Sequence, residues 1–340
     1  MRVLVIGGAG FIGANLANRF LKRGNDVFVF DNLSRHGTEW NLKWLKEYKN
    51  LKFIKGDIRN YDELKNLFLK EKFDVVFHMA AQVAVTTSVI NPREDFEINA
   101  LGTFNILEAI RETKQNPIIL FASTNKVYGG MTDIKIVEKN GRYAYKDIKG
   151  GIKEDRLLDF HSPYGCSKGC ADQYMIDYAR IYGLRTVVFR QSCIYGYRQF
   201  GIEDQGWVAW FTIAAALNKE ITIYGDGKQV RDVLFIDDLL NAYEAAIKNI
   251  DRVKGQAFNI GGGPKNTLSL LELISFLEEF FNKKISLKFS NWRPGDQPVF
   301  ICNISKAKKL LNWAPAVNPR QGVKLLYNWV KKNIDLFKDL

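Results

Sequence analysis

The chain has little of what marks several common protein classes. Its 340 residues carry four cysteines, too few for the disulfide framework of a small secreted domain and suited to a reducing compartment. No apolar run reaches the roughly 20 residues that a spanning helix needs. The opening MRVLVIGGAG runs its apolar stretch straight into glycines, so no cleavable signal is expected there. Cys166 and Cys170 share a helix face, yet no further Cys or His spacing completes a metal site, and no metal is expected. Internal repeats and low-complexity segments are lacking as well. A cytoplasmic protein is what these absences lead us to expect.

What remains is ordinary in bulk. A hydrophobic content of 46% and a charged content of 25% suit a soluble globular protein of one large or two moderate domains. The net charge of +12 raises nucleic acid as a partner. However, the lysines (Lys43, Lys46, Lys49, Lys52, Lys55) are spread along the chain among acids, which reads as a solvated basic surface. No nucleic-acid and no membrane partner is expected. A phosphate-bearing small substrate would gain from the same field.

Short β-branched runs alternate with helical patterns through the first half, the mark of a parallel sheet with crossovers. Strands are expected at Arg2–Ile6, Asp26–Phe30, Leu51–Ile54, Asp74–Phe77, Pro117–Phe121 and Thr186–Phe189. Helices are expected at Phe11–Arg23, Tyr61–Glu71, Phe96–Lys114 and Tyr164–Tyr182. Runs such as VLVI and VFVF lack alternation, as strands buried on both faces do. From about residue 191 the pattern loosens into a smaller mixed lobe, some of which returns to the sheet, and the polar stretch Met131–Lys153 reads as a long surface loop. The expected fold is α/β: a Rossmann-type doubly wound parallel sheet over residues 1–190, with a smaller mixed α/β substrate lobe over 191–340, partly interleaved with it.

The sequence Gly7-Gly-Ala-Gly10-Phe-Ile-Gly13 follows the first strand and opens the first helix. Glycines there let the backbone turn tightly and approach a pyrophosphate, which the helix N-terminus binds. Asp31 ends the second strand, where a carboxylate accepts from the ribose hydroxyls and repels a 2′-phosphate, favouring NAD over NADP. The competing uses are a turn started by Asp31 and a 2′-phosphate accepted by Arg35. Asp57 and Ile58, after the third strand, suit an adenine contact. The small residues of His78-Met-Ala80-Ala81 allow close approach to a cofactor, and His78 itself reads as a packed strand-end residue.

At the reacting end, Ser123-Thr124 close the fifth strand, at the carboxyl edge where open α/β sheets bind ligands. Tyr164 and Lys168 form Tyr-x-x-x-Lys, which puts both on one helix face a turn apart. An ammonium beside a phenol favours the phenolate, which is a general base. Lys168 would also bond the nicotinamide ribose. Each element alone is common; their order along the chain is not.

On these residues the chain resembles the extended short-chain dehydrogenases/reductases, from about residue 1 to 330. Within that class it is similar to the branch of CDP-paratose 2-epimerases (CDP-tyvelose 2-epimerases). The segments that carry this are DNLSRHGTEWNLKWL, QVAVTTSVINPREDFEIN, STNKVYG, DFHSPYGCSKGCADQY, RQFGIEDQGWVAWF and GKQVRDV. The resemblance implies tightly held NAD, catalytic roles for Ser123, Thr124, Tyr164 and Lys168, and cofactor contacts that add Phe11, Ile12, Asn32, Ser34, Gln82 and Asn99. For a CDP-sugar substrate it points to Thr86, Thr124, Gly206, Trp207, Val208 and Tyr224. Arg231 and Arg293 are the expected diphosphate ligands, because guanidinium forks match phosphate oxygens; Arg293 belongs to Arg-Pro-Gly-Asp296. Trp207 and Tyr224 could equally be core.

The resemblance further implies oxidation at C2 to a 2-keto sugar, rotation of that sugar, and hydride return to the opposite face. The related 4,6-dehydratases carry Asp-Glu after the catalytic Thr; Asn125-Lys126 stand here and cannot supply that acid and base. The rivals are a UDP-sugar 4-epimerase and a non-catalytic NAD- or nucleotide-sugar-binding regulator. A homodimer or homotetramer is expected through the helices Phe96–Lys114 and Tyr164–Tyr182.

Overall fold

Seven parallel strands form the central sheet of the computed structural model, in the order Gln256–Ile260, Arg185–Gln191, Ile118–Thr124, Val75–His78, Arg2–Ile6, Asp26–Asp31 and Leu51–Lys55. Residues 1–293 and 295–338 are described. The non-alternating runs have the cause expected of them. Val3, Val5, Val27 and Val29 feed one apolar core, and Leu4, Ile6, Phe28 and Phe30 the other, so each strand is buried on both sides. The helix Phe11–Lys22 packs on the first face, and Tyr61–Lys70, Gly102–Glu112 and Ser162–Tyr182 contribute to the second.

The chain adds its first three strands towards one edge and then jumps back beside Arg2–Ile6 to continue towards the other. This reversal leaves a crevice at the carboxyl ends of Arg2–Ile6 and Val75–His78, the place where such sheets take ligands.

The second half supplies a lobe of short strands around Val230–Phe235, which pairs with Cys193–Tyr195, Thr267–Ser269 and Val299–Phe300. A separate parallel pair joins Ile221–Tyr224 to Leu287–Ser290. Gln256–Ile260 returns as the seventh strand of the main sheet, while Ile152 pairs with Cys302.

Two expectations need correction. Met131–Lys153 is not one loop: Ile136–Lys139 and Arg142–Tyr145 form an antiparallel hairpin, which Tyr143 Oη ties to Asp226 at 2.6 Å. Its polar face is half-exposed, so the strand carries little hydrophobic signal. The expected helix Phe96–Lys114 is broken into Pro92–Phe96, a π-helical turn over Glu97–Leu101, and Gly102–Glu112. The π-turn carries Asn99, whose side chain is held from three directions (below); such turns recur where a helix must aim a functional side chain. Pro294 and the last two residues of the second half lie outside the described residues. No helix among the described residues is long and apolar enough to cross a membrane.

Candidate active site

Two adjoining pockets meet at the carboxyl edge of the sheet, and both are lined by Phe11, Ile12, Val83, Gln199 and Gln205. The first is the glycine-rich crevice. Gly7 sits at φ +75, and a Cβ there would come within 2.4 Å of the Ala80 backbone nitrogen; one on Gly13 would come within 2.2 Å of the Gly7 carbonyl oxygen. No other residue type fits this cradle, and a pyrophosphate at the start of the helix Phe11–Lys22 explains why the backbone must come so close. Gly10, Phe11, Ile12, Asp31, Asn32, Ser34, Arg35, Asp57, Ile58 and Ala80 all line it, so these expected cofactor residues come together.

Asp31 is buried, with one oxygen accepting from the Ala9 N–H at 2.9 Å and the other from the Leu33 N–H at 2.8 Å. The turn use and the binding use therefore coexist: the local bonds aim the carboxylate at the crevice. Burial raises its pKa, against those backbone donors, which lower it. Asn32 donates to Asp57 at 2.9 Å. Arg59 and Asn32 hold the Asp57 carboxyl down at about 2, against burial. Arg35 donates to the Gln205 side chain, bridging the two pocket mouths.

Gln82 and Asn99 stand just behind the walls of the two pockets, tied to each other and to Asp95. Asn99 Nδ2 donates to the Gln82 carbonyl, the Asp95 carboxylate and the Ser167 hydroxyl, each at 3.1 Å. Gln82 Nε2 donates to Asp95 at 3.0 Å. They form a buried polar network behind the catalytic helix. His78 is a packed strand-end residue as expected: it is buried, its Nε2 lies 2.9 Å from the Thr103 hydroxyl, and burial pushes it well below the usual imidazole range.

The second pocket holds the reacting end. Thr124 and Tyr164 line it together, and the Thr124 hydroxyl acts to favour the ionised form of Tyr164. The expected help from Lys168 is not what dominates here. Burial pushes Tyr164 up to about 12, outweighing Thr124 and Arg35, and pulls Lys168 down to about 7. The Lys168 ammonium lies over the Phe121 ring, 4.1 Å from its centroid. Helical spacing set the pair on one face, but it gave no account of the desolvation that each suffers there.

Ser123 departs from its twin. Adjacent strand residues point to opposite sides, and the Ser123 hydroxyl donates to Asp172 at 2.7 Å instead of pairing with Tyr164. Both Ser123 and Thr124 nevertheless line the pocket with Tyr164.

The remaining lining suits a nucleoside diphosphate sugar. Arg231 is buried and pairs with Asp296 at 2.6 Å; Arg293 pairs with Asp204 at 2.9 Å and stacks on Tyr224, 3.9 Å from the ring centroid. Both arginines face the pocket with part of their donor sets committed to acids. Trp207, Val208 and Gly206 line the same wall, and the Trp207 indole donates to the Cys193 thiol at 3.5 Å. Tyr224 and Trp207 are therefore neither core nor free, since each has one face on the pocket. Thr86 Oγ1 is buried, lines the pocket and has no protein partner, which marks it for a ligand.

The oxygens of Gln199 and Gln229 are orphaned in the same way, and neither residue was singled out from the sequence. Gln229 stands two residues before Arg231 in GKQVRDV, a strand-period spacing that could have flagged it. Asn125 and Lys126 also line the pocket. Burial and the neighbouring Arg231 bring Lys126 down to about 8.

Comparison with known proteins places this geometry. A family model described as GDP-mannose 4,6 dehydratase matches residues 4–326. The chain is 50% identical over 336 residues to a CDP-paratose 2-epimerase of Salmonella typhi, covering 97% of this chain and 99% of that protein. It is 34% identical to a UDP-glucuronate 4-epimerase of Thermodesulfobacterium geofontis, covering 99% and 98%. A solved UDP-glucuronic acid 4-epimerase of Bacillus cereus, in complex with UDP-glucuronic acid and NAD, superposes with a TM-score of 0.84 at 31% identity, covering 98% of this chain and 99% of that one.

Proposed function

The chain belongs to the GDP-mannose 4,6 dehydratase family, among the extended short-chain dehydrogenases/reductases, and from that premise we propose an NAD-dependent epimerase that inverts C2 of a CDP-hexose. Its substrates are CDP-paratose and CDP-tyvelose or close relatives. The full-length 50% identity to a protein of that name carries this reading. Thr124 and Tyr164, in the pocket that adjoins the dinucleotide crevice, support it. Bound NAD would supply the hydride acceptor and donor for C2. The cradle at Gly7 and Gly13, together with Asp31, fits that cofactor.

The chain's own residues do the rest. Tyr164 removes the proton of the C2 hydroxyl and later gives it back, and the Thr124 hydroxyl holds that oxygen in line. Lys168, charged, favours the phenolate and bonds the nicotinamide ribose. Arg231 and Arg293 grip the diphosphate, while Trp207, Val208 and Tyr224 cover the pyrimidine. Gly206 and Thr86 border the sugar. A firm nucleotide anchor with a loosely held sugar lets the 2-keto sugar rotate and present its other face. Asn125-Lys126 hold no acid–base pair for eliminating water, so dehydration is not the reaction despite the family's name.

The decisive assay follows CDP-paratose by NMR; inversion at C4 of a UDP-sugar instead would support the 4-epimerase reading. The second element of the proposal is a homo-oligomer. Phe96 (54% exposed), Tyr174 (42%), Ile181 (61%) and Tyr182 (50%) crowd an apolar face on the helices Pro92–Phe96 and Ser162–Tyr182, suited to a copy of itself. A purely monomeric species in sedimentation would contradict it.

A further inference from the structure

The catalytic helix carries a third residue in the same row. Tyr164, Lys168 and Asp172 follow one another at one-turn intervals, and Asp172 is fully buried. Two neighbouring strands converge on its carboxylate. Ser123 and Arg190 are cross-strand partners in the sheet. The Ser123 hydroxyl donates to Asp172 at 2.7 Å, and the Arg190 guanidinium grips both carboxylate oxygens, at 3.0 and 2.9 Å. Arg190 continues to the Tyr128 hydroxyl at 3.2 Å, which donates to Asn259 at 2.7 Å. The carboxylate is therefore fixed from the sheet side by a chain of bonds that reaches the seventh strand.

We propose that Asp172, clamped by Arg190, is a positioning residue that supplies the negative charge behind Lys168 and takes up the Ser123 hydroxyl. The inference rests on the epimerase reading above. Lys168, Arg190, Asp172 and Asp95 are each at most 4% exposed, two cations against two anions. On its own helix Lys168 has Asp172 one turn on and Tyr164 one turn back; Asp95 of Pro92–Phe96 acts to keep it charged, and His78 of Val75–His78 is kept neutral by burial and by Lys168 itself. Asp172 and Asp95 both act to keep the ammonium charged against burial. Asp95 is already shared among Ser167 at 2.5 Å, Gln82 and Asn99. Removing Asp172 thus withdraws one of two counter-charges and leaves Arg190 as an unopposed cation nearby.

The test uses NAD-loaded enzyme labelled with [15N]lysine, with the Lys168 signal assigned by its loss in Lys168→Met. In Asp172→Asn the Lys168 ammonium is expected to titrate at least about one pH unit lower than in wild type. The alkaline limb of the pH–rate profile for CDP-paratose should move down with it, and turnover at pH 7 should fall about fivefold or more. Asp172→Glu, which keeps the charge, should restore most of the titration. If Asp172→Asn does not fold, the paired Asp172→Asn/Arg190→Met variant removes both buried charges together and should still lower the Lys168 titration. A folded variant of either kind with an unmoved Lys168 titration overturns the proposal and leaves Asp172 a purely structural residue. The lysine titration uses no sugar. Wild-type enzyme inert towards CDP-sugars would therefore sink the functional reading alone.

Discussion

Replacing Tyr164 by Phe removes one oxygen and little else, which makes it a sharp probe of the chemistry. The ring is 8% exposed and stays packed. Burial pushes its ionisation up to about 12, against Thr124, which lowers it. Burial thus works against the phenolate, so whatever favours it in the loaded site must outweigh desolvation. Losing a positioned general base costs about 10²–10⁴ in turnover, or about 2.7–5.5 kcal/mol of barrier. Losing one neutral hydrogen bond costs the fold only about 0.5–1.5 kcal/mol. Turnover of CDP-paratose by Tyr164→Phe should therefore drop by two to four orders of magnitude. The thermal midpoint should move by a few degrees, and the absorbance of co-purified NAD should be unchanged. Turnover within threefold of wild type would refute the assignment of Tyr164 as the base. Loss of NAD alongside activity would refute the claim that the hydroxyl acts on the substrate and not on the cofactor.

Other outcomes follow from the same geometry. Gly7→Ala puts a Cβ 2.4 Å from the Ala80 nitrogen at a φ of +75, so the purified variant should lack bound NAD by absorbance while keeping its circular dichroism. Arg231→Lys keeps the charge but loses the fork that reaches Asp296 and the pocket; KM for the CDP-sugar should rise about 10- to 100-fold with kcat within a few-fold, the worth of a charge-assisted bond. Asp57 has its folded pKa depressed to about 2 from 3.8, so its contribution is present above pH 3.8 and is lost as pH falls through about 2. Its partner Arg59 is partly exposed, and screening limits the effect to under about 1 kcal/mol. Denaturant midpoints of Asp57→Asn and wild type should accordingly differ at pH 7 and converge as pH is lowered through 3.

The parts of the site legible in the sequence are those set by local geometry. Gly7, Gly10 and Gly13 lie on one strand–helix turn, and Tyr164 and Lys168 on one helix, so spacing alone carries their relation. The sheet, too, followed from runs such as VLVI, because strands buried on both faces need no alternation. What escaped depends on partners distant in sequence. Ser123 and Thr124 look equivalent until Asp172, 49 residues on, claims one of them. The hairpin Ile136–Lys139/Arg142–Tyr145 is stabilised by Asp226 and by a backbone bond from Tyr143 to Lys228, so its own residues barely announce it. The acids that occupy Arg231 and Arg293 were likewise invisible as partners, Asp204 entirely so.

The central claim is direct hydride return at C2 of a CDP-sugar, and NMR of CDP-paratose incubated with the enzyme in deuterated water tests it. The account predicts conversion to CDP-tyvelose, with C2 inverted and no deuterium at C2 in the product. Deuterium incorporated at C2, or inversion confined to C4 of a UDP-sugar offered in parallel, would contradict it.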